Sequence, residues 1–328
     1  FNWGPVEDIV LVGSENELAE EFGAPDDSTA KHFLVAASFL KYGNALKVVR
    51  VVDSNAKNAT AQGTGQLIKN DDDYVNNYGS GQLNLGRWAA KHPGVLGNSL
   101  KVSMISHSAS DAVFNGWAHK GNFDAAPGTS TAAAAVGVVN DELHVCVIDE
   151  DGAISGTAGT VLETFGFLSQ ASDAKNDDGT TNFYKDVINN QSEYIRWIDH
   201  DTNLKEAGFT LAAAKAVTDT GGDAEAANVF VTHDSAMEAS LSGGTDDNAP
   251  TTGEIAAGFD LLEDAETVDV NLLFAAPDVD GAEAIAEDLI SIANARKDCM
   301  AFISPPIEDT VNTSSAAANV KAFADGLT

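Results

Sequence analysis

At 328 residues the chain has room for about two domains and an ample core. Fifty Asp and Glu against 18 Lys and Arg leave a formal charge of −32, which repels nucleic acid and anionic membranes, so partners of neither kind are expected. No run of about 18 apolar residues and no basic-then-apolar leader occurs, so neither a membrane span nor a secretory signal is predicted. The acidity reads first as a device for solubility, with adaptation to saline surroundings as a second reading. The chain opens on Phe1 rather than Met and stops after a helix-like AAANVKAFADGLT, so it reads as part of a longer product. Cys146 and Cys299 lie in apolar runs, where buried reduced thiols are expected and no disulfide framework exists.

The opening FNWGP reads as an entry turn and 9–12 as a short buried strand. Ser14 begins S-E-N-E, a capping box in which its hydroxyl takes the Glu17 amide, opening a helix to Phe22 that Gly23 and Pro25 end. Ser28 or Asp27 is expected to cap a longer helix with Phe33, Leu34, Ala37 and Leu40 as its buried stripe and Gly43 as a left-handed stop. Residues 46–52, LKVVRVV, form a β-branched strand in which Arg50 reads as a sheet-end or interface residue without chemistry. From 53 to 82 the composition turns to Asn, Gly, Asp and Ser, which predicts a linker.

After Ser99 short β-runs appear at 100–105, 143–148 and 157–165, with Asp151-Gly152 as a hairpin turn between the last two. A helix near 183–190 and a strand at 194–198 follow, while 108–135 and 169–181 read as surface excursions. Residues 209–217 and the Gly221-Gly222 pair lead back towards 236–241, and 253–263 reads as a helix. Then 268–276, closed by Pro277, and 299–304, closed by Pro305 and Pro306, are apolar runs expected as strands covered on both faces. Between them Ile285, Leu289, Ile292 and Ala293 recur at helical spacing opposite Glu283, Glu287, Asp288 and Arg296, which makes a right-handed βαβ unit. The fold class is therefore α/β, α+β overall: a central α/β domain with an inserted β-rich domain. The expected division is 1–83 as the first part of the α/β domain plus linker, 84–202 as the insert, and 203–328 as the return part.

No catalytic, cofactor-binding or metal-binding residue is nominated. The histidines at 32, 92, 107, 119, 144, 200 and 233 are scattered without HExxH or zinc spacing. DAKNDDG at 173–179 has Lys175 and Asp178 where a calcium loop needs a ligand and a glycine, and reads as a solvated turn. Gly63 and Gly65 begin a GxGxxG that Ile68 breaks, and no GxSxG or Walker loop is present. Asp246 and Asp247 sit side by side in SGGTDD, where turn geometry explains them better than acid/base work. His200, between Asp199 and Asp201, reads as a surface residue.

Four stretches resemble the tail sheath proteins of contractile-tailed, T4-like phages: FGAP at 22–25 with HFLVAASFLKYGNALKVVRVV at 32–52, AAKHPGVLGNSLKV at 89–102, LSGGTDD at 241–247 and RKDCMAFISPP at 296–306. The chain departs from that family at His92 and Leu96, where Tyr and Trp are usual. The resemblance implies a structural subunit and no enzyme. As a homo-oligomer of stacked hexameric rings, it would surround a tail tube and contract to drive the tube through the host envelope. Tail tube, baseplate and tail terminator proteins are the implied partners, and the implied place is the virion, after assembly in the host cytoplasm. The loop length and small polar content of the insert read it as outward-facing, and the resemblance implies a C-terminal sheath domain and terminal arms that this stretch does not show. The alternatives are the sheath of a pyocin-type or secretion-type injection system, an α/β nucleotide-binding enzyme, and a carbohydrate-binding surface module. Val12 is followed by GSENE, whose carboxylates oppose a phosphate site, and Trp88, Trp117 and Trp197 do not cluster in sequence.

Overall fold

The computed structural model describes residues 1–108, 110–201, 204, 207–216, 229–230, 233, 235–247, 249–275 and 281–327. In chain order the first elements are β1 (Ile9–Val12), α1 (Glu15–Phe22), α2 (Ala30–Leu40), β2 (Leu46–Val49), α3 (Asp71–Asn77), β3 (Trp88–Ala90) and β4 (Leu100–Ser106). There follow α4 (Asp111–Gly116), α5 (Thr131–Val136), β5 (Glu142–Asp149), β6 (Thr160–Ser169), α6 (Tyr184–Gln191), β7 (Ile195–Trp197), α7 (Leu211–Ala216) and β8 (Met237–Ser240). The last are α8 (Thr252–Asp260), β9 (Leu272–Phe274), α9 (Ala282–Arg296), β10 (Met300–Phe302), α10 (Ile307–Thr310) and α11 (Ala316–Gly326). The chain is α/β, and it separates into two compact units, Phe1–Ala56 with Asp246–Thr328, and Lys57–Thr245. Among the described residues no helix is long and apolar enough to cross a membrane.

In the first unit β1 pairs antiparallel with β2, from Ile9 opposite Val49 to Val12 opposite Leu46. Val12, Leu46 and Val48 pack on Leu18 and Phe22 of α1 and on Phe33, Ala36 and Ala37 of α2. Leu34, expected in that buried stripe, is 57 % exposed, and Ala36 takes its place. Ser14 caps α1 as expected, but the Glu17 carboxylate returns to the Gly13 amide instead of the Ser14 amide. At α2 the cap expected from Ser28 or Asp27 is supplied by Asp26, one or two residues earlier. Asp26 accepts from the amides and hydroxyls of both Ser28 and Thr29, which holds its carboxyl below the usual range. The α2 helix ends on Lys41 in right-handed geometry, so Gly43 is not the left-handed stop; it is small because the Phe39 ring lies against it.

The βαβ unit is present: β9 and β10 are parallel in register from Leu272 opposite Met300 to Phe274 opposite Phe302, with α9 between them. Ile285, Leu289 and Ile292 of α9 bury Leu273 and Leu262. Arg296 closes the unit from inside, donating to the carbonyls of Leu262 and Val268 and pairing with Asp298. The expectation of strands covered on both faces fails. One helix covers one face, and Leu272, Met300 and Phe302 are 46 %, 62 % and 51 % exposed on the other. Ala276 and Pro277, and Gly221 and Gly222, lie outside the described residues.

The second unit is built on the sheet β6-β5-β4-β8, antiparallel throughout. The β-runs read from sequence are all present, although the Asp151-Gly152 turn belongs to a longer loop, 150–159. That loop is organised by Asp149, which accepts from Ser99 Oγ, from the amides of Gly152, Ile154 and Ser155, and from Ser155 Oγ. Residues 53–82 are no floppy linker. Asn58 donates to Ala90 O and accepts from the Ile68 amide, Asn70 caps α3, and Ile68 and Tyr74 are buried with Leu85, Ala89 and Ile198. Polar composition misleads here because the polar groups are internally paired. Residues 108–135 are likewise no free excursion, since Trp117 and Phe123 cover one face of the sheet with Ile105, Cys146 and Ile148.

The unit closes at a neck. Lys57 and Thr245 exchange both backbone hydrogen bonds, as do Thr60 and Ser242, and the Asn98 amide pairs doubly with the backbone of Gly244. Strand β8, read from sequence with the return part, pairs with β4 in this unit. Glycine is required at the neck: a Cβ on Gly65 would lie 2.1 Å from Gly243 O, and one on Gly244 2.5 Å from Gly94 O. Gly65→Ala combines that clash with φ +59°, so it is expected to destabilise the protein by about 2–3 kcal/mol in chemical denaturation. Gly179→Ala, at φ +86° with nothing within 4 Å, is expected to cost only about 1 kcal/mol. Equal losses for the two would mean that close backbone approach is not what holds the neck.

Candidate functional site

The residues screened for chemistry do not converge. Among the described residues no group of three His, Cys, Asp or Glu side chains is placed to hold a metal ion. Residues 173–179 form a hairpin closed by Lys175 opposite Thr181, with the Gly179 amide on Asn176 O and Asp178 accepting from Thr180. Asp247 accepts from the Ala249 amide through Oδ1 and from the Asp53 amide through its carbonyl, while the Asp246 charge faces Arg50, so the two do not act as a pair. Arg50 itself is fully buried and donates to the carbonyls of Phe1 and Gly4, tying down the opening turn. Cys146 is buried and its thiol is pushed up to about 12, mainly by burial; Cys299 is a half-buried free thiol.

His200 is not a simple surface residue. Its Nδ1 lies 2.6 Å from the Tyr184 hydroxyl, which also accepts from Trp197 Nε1, and burial pulls the imidazole down to about 4. Its neighbour Asp201 is buried in an ion pair with Arg87. Trp88 and Trp197, far apart in sequence, stand directly opposite one another on β3 and β7, and both are 2 % exposed. A carbohydrate platform needs exposed indoles, so these two are core residues. Nothing short of the β3–β7 register, a tertiary pairing, could have revealed that.

The surface feature that the packing leaves unfinished is in the first unit. The two small sheets are each only two strands wide, so every one of these strands keeps an edge without a strand partner among the described residues, and β2 and β9 both border one cleft. Residues 43–51 and 269–275 together line a cleft of about 620 Å³, with Phe39 against Phe274 at 5.6 Å on one wall. Lys47 crosses it to donate to Asp269 O. Leu11 at its rim is 58 % exposed, and Leu272, Met300 and Phe302 continue the apolar surface along β9 and β10. An unpaired edge beside exposed apolar side chains is a template for another strand, and monomers usually cover or charge such an edge.

Strand edges and apolar faces of this kind are features that structural, assembling proteins offer to another chain. Comparison with known proteins agrees. The family described as tail sheath protein Gp18 domain III N-terminal region matches residues 1–51. The tail sheath protein of Salmonella phage ViI is 34 % identical over 237 residues, 71 % of this chain and 33 % of that protein. The tail sheath protein of Vibrio phage KVP40 is 51 % identical over 61 residues, 18 % of this chain and 9 % of that one. The tail sheath protein of enterobacteria phage T4 is 24 % identical over 384 aligned positions, covering 95 % of this chain and 58 % of that one. The chain belongs to the T4-like phage tail sheath family, a family of structural, non-enzymatic virion proteins. It spans between about a tenth and three-fifths of the length of these curated relatives.

The exposed face of β9 and β10 contributes little to the fold of the chain itself. Phe302→Ser and Met300→Ser are each expected to change unfolding free energy by no more than about 0.5 kcal/mol, whereas Leu273→Ala, 2 % exposed beneath α9, is expected to cost about 2–4 kcal/mol. Equilibrium urea unfolding of the three variants checks the contrast. A large loss for Phe302→Ser would mean that the face is covered within the chain.

Proposed function

We propose that the chain is a structural part of a sheath subunit that polymerises around a tail tube as stacked hexameric rings and shortens to drive the tube through the host envelope. The observation that carries the reading is the open strand edges of the two small sheets and the apolar β9–β10 face, all in the first unit. Contraction asks for bodies that move without deforming while the contacts between neighbours are exchanged. Buried cross-links such as Arg50 on the carbonyls of Phe1 and Gly4, Arg296 on those of Leu262 and Val268, and the doubled Asn98–Gly244 pair support rigidity within each unit. Residues 84–202 form the outward-facing insert in this reading, and tube, baseplate and tail terminator proteins are the partners. The net charge of −32 makes neighbouring subunits repel, so assembly is favoured as salt shortens the screening length.

Negative-stain electron microscopy of the full-length product, alone and co-expressed with the tube protein, is the test. Striated tubes or stacked rings of phage-tail width are expected, more abundant at about 0.5 M salt than at low salt. The double variant Met300→Glu, Phe302→Glu is expected to stay folded and lose the tubes. Compact single particles under every condition, with or without tube protein, would overturn the reading.

A further inference from the structure

The second unit contains a covered apolar face whose cover is held by a histidine. On one side of the sheet β6-β5-β4-β8, the register aligns Ser103 with Cys146 and Ile105 with His144. Residues 110–128 lie across this side as a strap. Four polar attachments tie the strap to the sheet. Trp117 Nε1 donates to Ser103 Oγ at 2.8 Å, His107 Nδ1 meets Pro127 O at 3.0 Å, Gly128 and Glu142 bond twice, and His144 Nε2 meets Ala125 O at 2.9 Å.

The attachment at His144 differs from the others because the ring is committed on both sides. Its Nδ1 accepts from the Phe167 amide at 2.9 Å, so the proton of the neutral ring must sit on Nε2, where it is donated to Ala125 O. The ring stacks on Phe123 of the strap at 4.2 Å with an interplanar angle of 5°, and Phe167 meets it edge-on at 4.6 Å. Phe167 occupies left-handed backbone at φ +55°, an unfavourable position for a non-glycine residue, and its amide has been aimed at the imidazole. A second proton has no place here. On Nδ1 it would face the Phe167 N–H donor to donor, and it would create a charge on a side chain that is fully buried.

We propose that His144 is an acid-released pin for the strap 110–128: a second proton sets Nδ1 against the Phe167 amide and puts a charge into the buried stack, so the imidazole leaves its place, giving up the Ala125 O bond and the Phe123 stacking that hold the strap and uncovering Ile105, Cys146 and Ile148. The surroundings supply nothing that would keep a charged imidazole in place. The titratable groups on this side of the neighbouring elements are Glu142 and Cys146 on β5, Lys101 on β4, His107 just beyond it and Glu238 on β8, with Asp111, His119, Lys120 and Asp124 on the strap itself; Lys101 is paired with Glu238, and β6 offers Thr164, Gly166 and Phe167 at this point. Burial alone lowers the basicity of His144, opposed only by backbone contacts at Ala125 and Leu143. Burial pushes Glu142 the other way, so acid favours its folded form and opposes release. The His107 attachment survives either protonation state, because Nδ1–H donates to Pro127 O in both. His119 is shifted in the same direction as His144, chiefly by burial, so the test compares variants and does not rest on one curve.

The sign follows from linkage. A histidine made less basic by folding contributes its full share of stability above the unfolded value near 6.5, and loses it as pH falls towards the folded value. Native-state hydrogen exchange of the whole chain, corrected for the intrinsic rate, reads the opening at the Phe167 amide and through 111–128. In the wild-type protein the opening constant is expected to rise up to about tenfold for each unit that pH falls in that window. His144→Gln places an acceptor towards Phe167 and a donor towards Ala125 with no proton to gain, and its opening is expected to lose that dependence. The same pH slope in both proteins would overturn the proposal. Should the variant fail to fold, long-range 1H–15N correlation on the wild type decides. The Nε2–H tautomer, vanishing in step with protection at Phe167, is the expected result. The Nδ1–H tautomer, or protonation with Phe167 protection intact, would overturn the proposal equally.

Discussion

The second unit depends on close approach of backbone to backbone at its neck. Lys57 to Thr245 and Thr60 to Ser242 bring together residues almost 190 positions apart, and the loop entropy of that closure is met by four backbone hydrogen bonds and the paired Asn98 amide. Bonds of this kind form only where no side chain intervenes. Gly63, Gly65, Gly94, Gly243 and Gly244 are the residues in contact there, and a methyl group on Gly65, Gly243 or Gly244 would fall inside contact distance of a carbonyl oxygen. With the neck closed, β8 lies beside β4 as the second edge strand of the sheet.

This accounts for why the stretches shared with tail sheaths carry no chemistry. GNSL places Gly97 against Ala90, Asn98 on Gly244 and Ser99 on Asp149; SGGTDD supplies the other half of the neck. In the first unit FGAP places Phe22 O under the amides of Asn2 and Trp3, and the Arg50 of VVRV holds the carbonyls of Phe1 and Gly4. Such motifs fix shape. The surfaces left unfinished are the open edges of the two small sheets, those of β2 and β9 among them, and the face of β9 and β10.

Buried polar residues take over where the chain has little secondary structure to spend its backbone groups on. Asp149 and Ser99 organise 150–159, Asp141 joins Ser130 to Ser169, and Arg296 serves two carbonyls between α8 and β9. Each is satisfied by several partners, as a buried charge must be. The acidic excess therefore divides into two populations. A few carboxylates are structural, and most form the repelling outer surface.

Local pattern alone determined much of this chain. The α/β class, the βαβ unit at 268–304, the three long β-runs, and the helices at 14–22, 184–191 and 252–260 follow from periodicity, capping and spacing, all of which act over a few residues. Tertiary structure decided the rest, because it turned on partners distant in sequence. Residues 53–82 looked like a linker until Asn58 and Tyr74 found Ala90 and Trp197; 108–135 looked like an excursion until Trp117 met Ser103; His200 looked exposed until Tyr184 reached it. In the opposite direction, the run at 299–304 looked buried, yet only one of its faces has a helix to cover it. Apolar pattern states which side chains gain from burial, and only the assembled fold states whether anything is there to bury them.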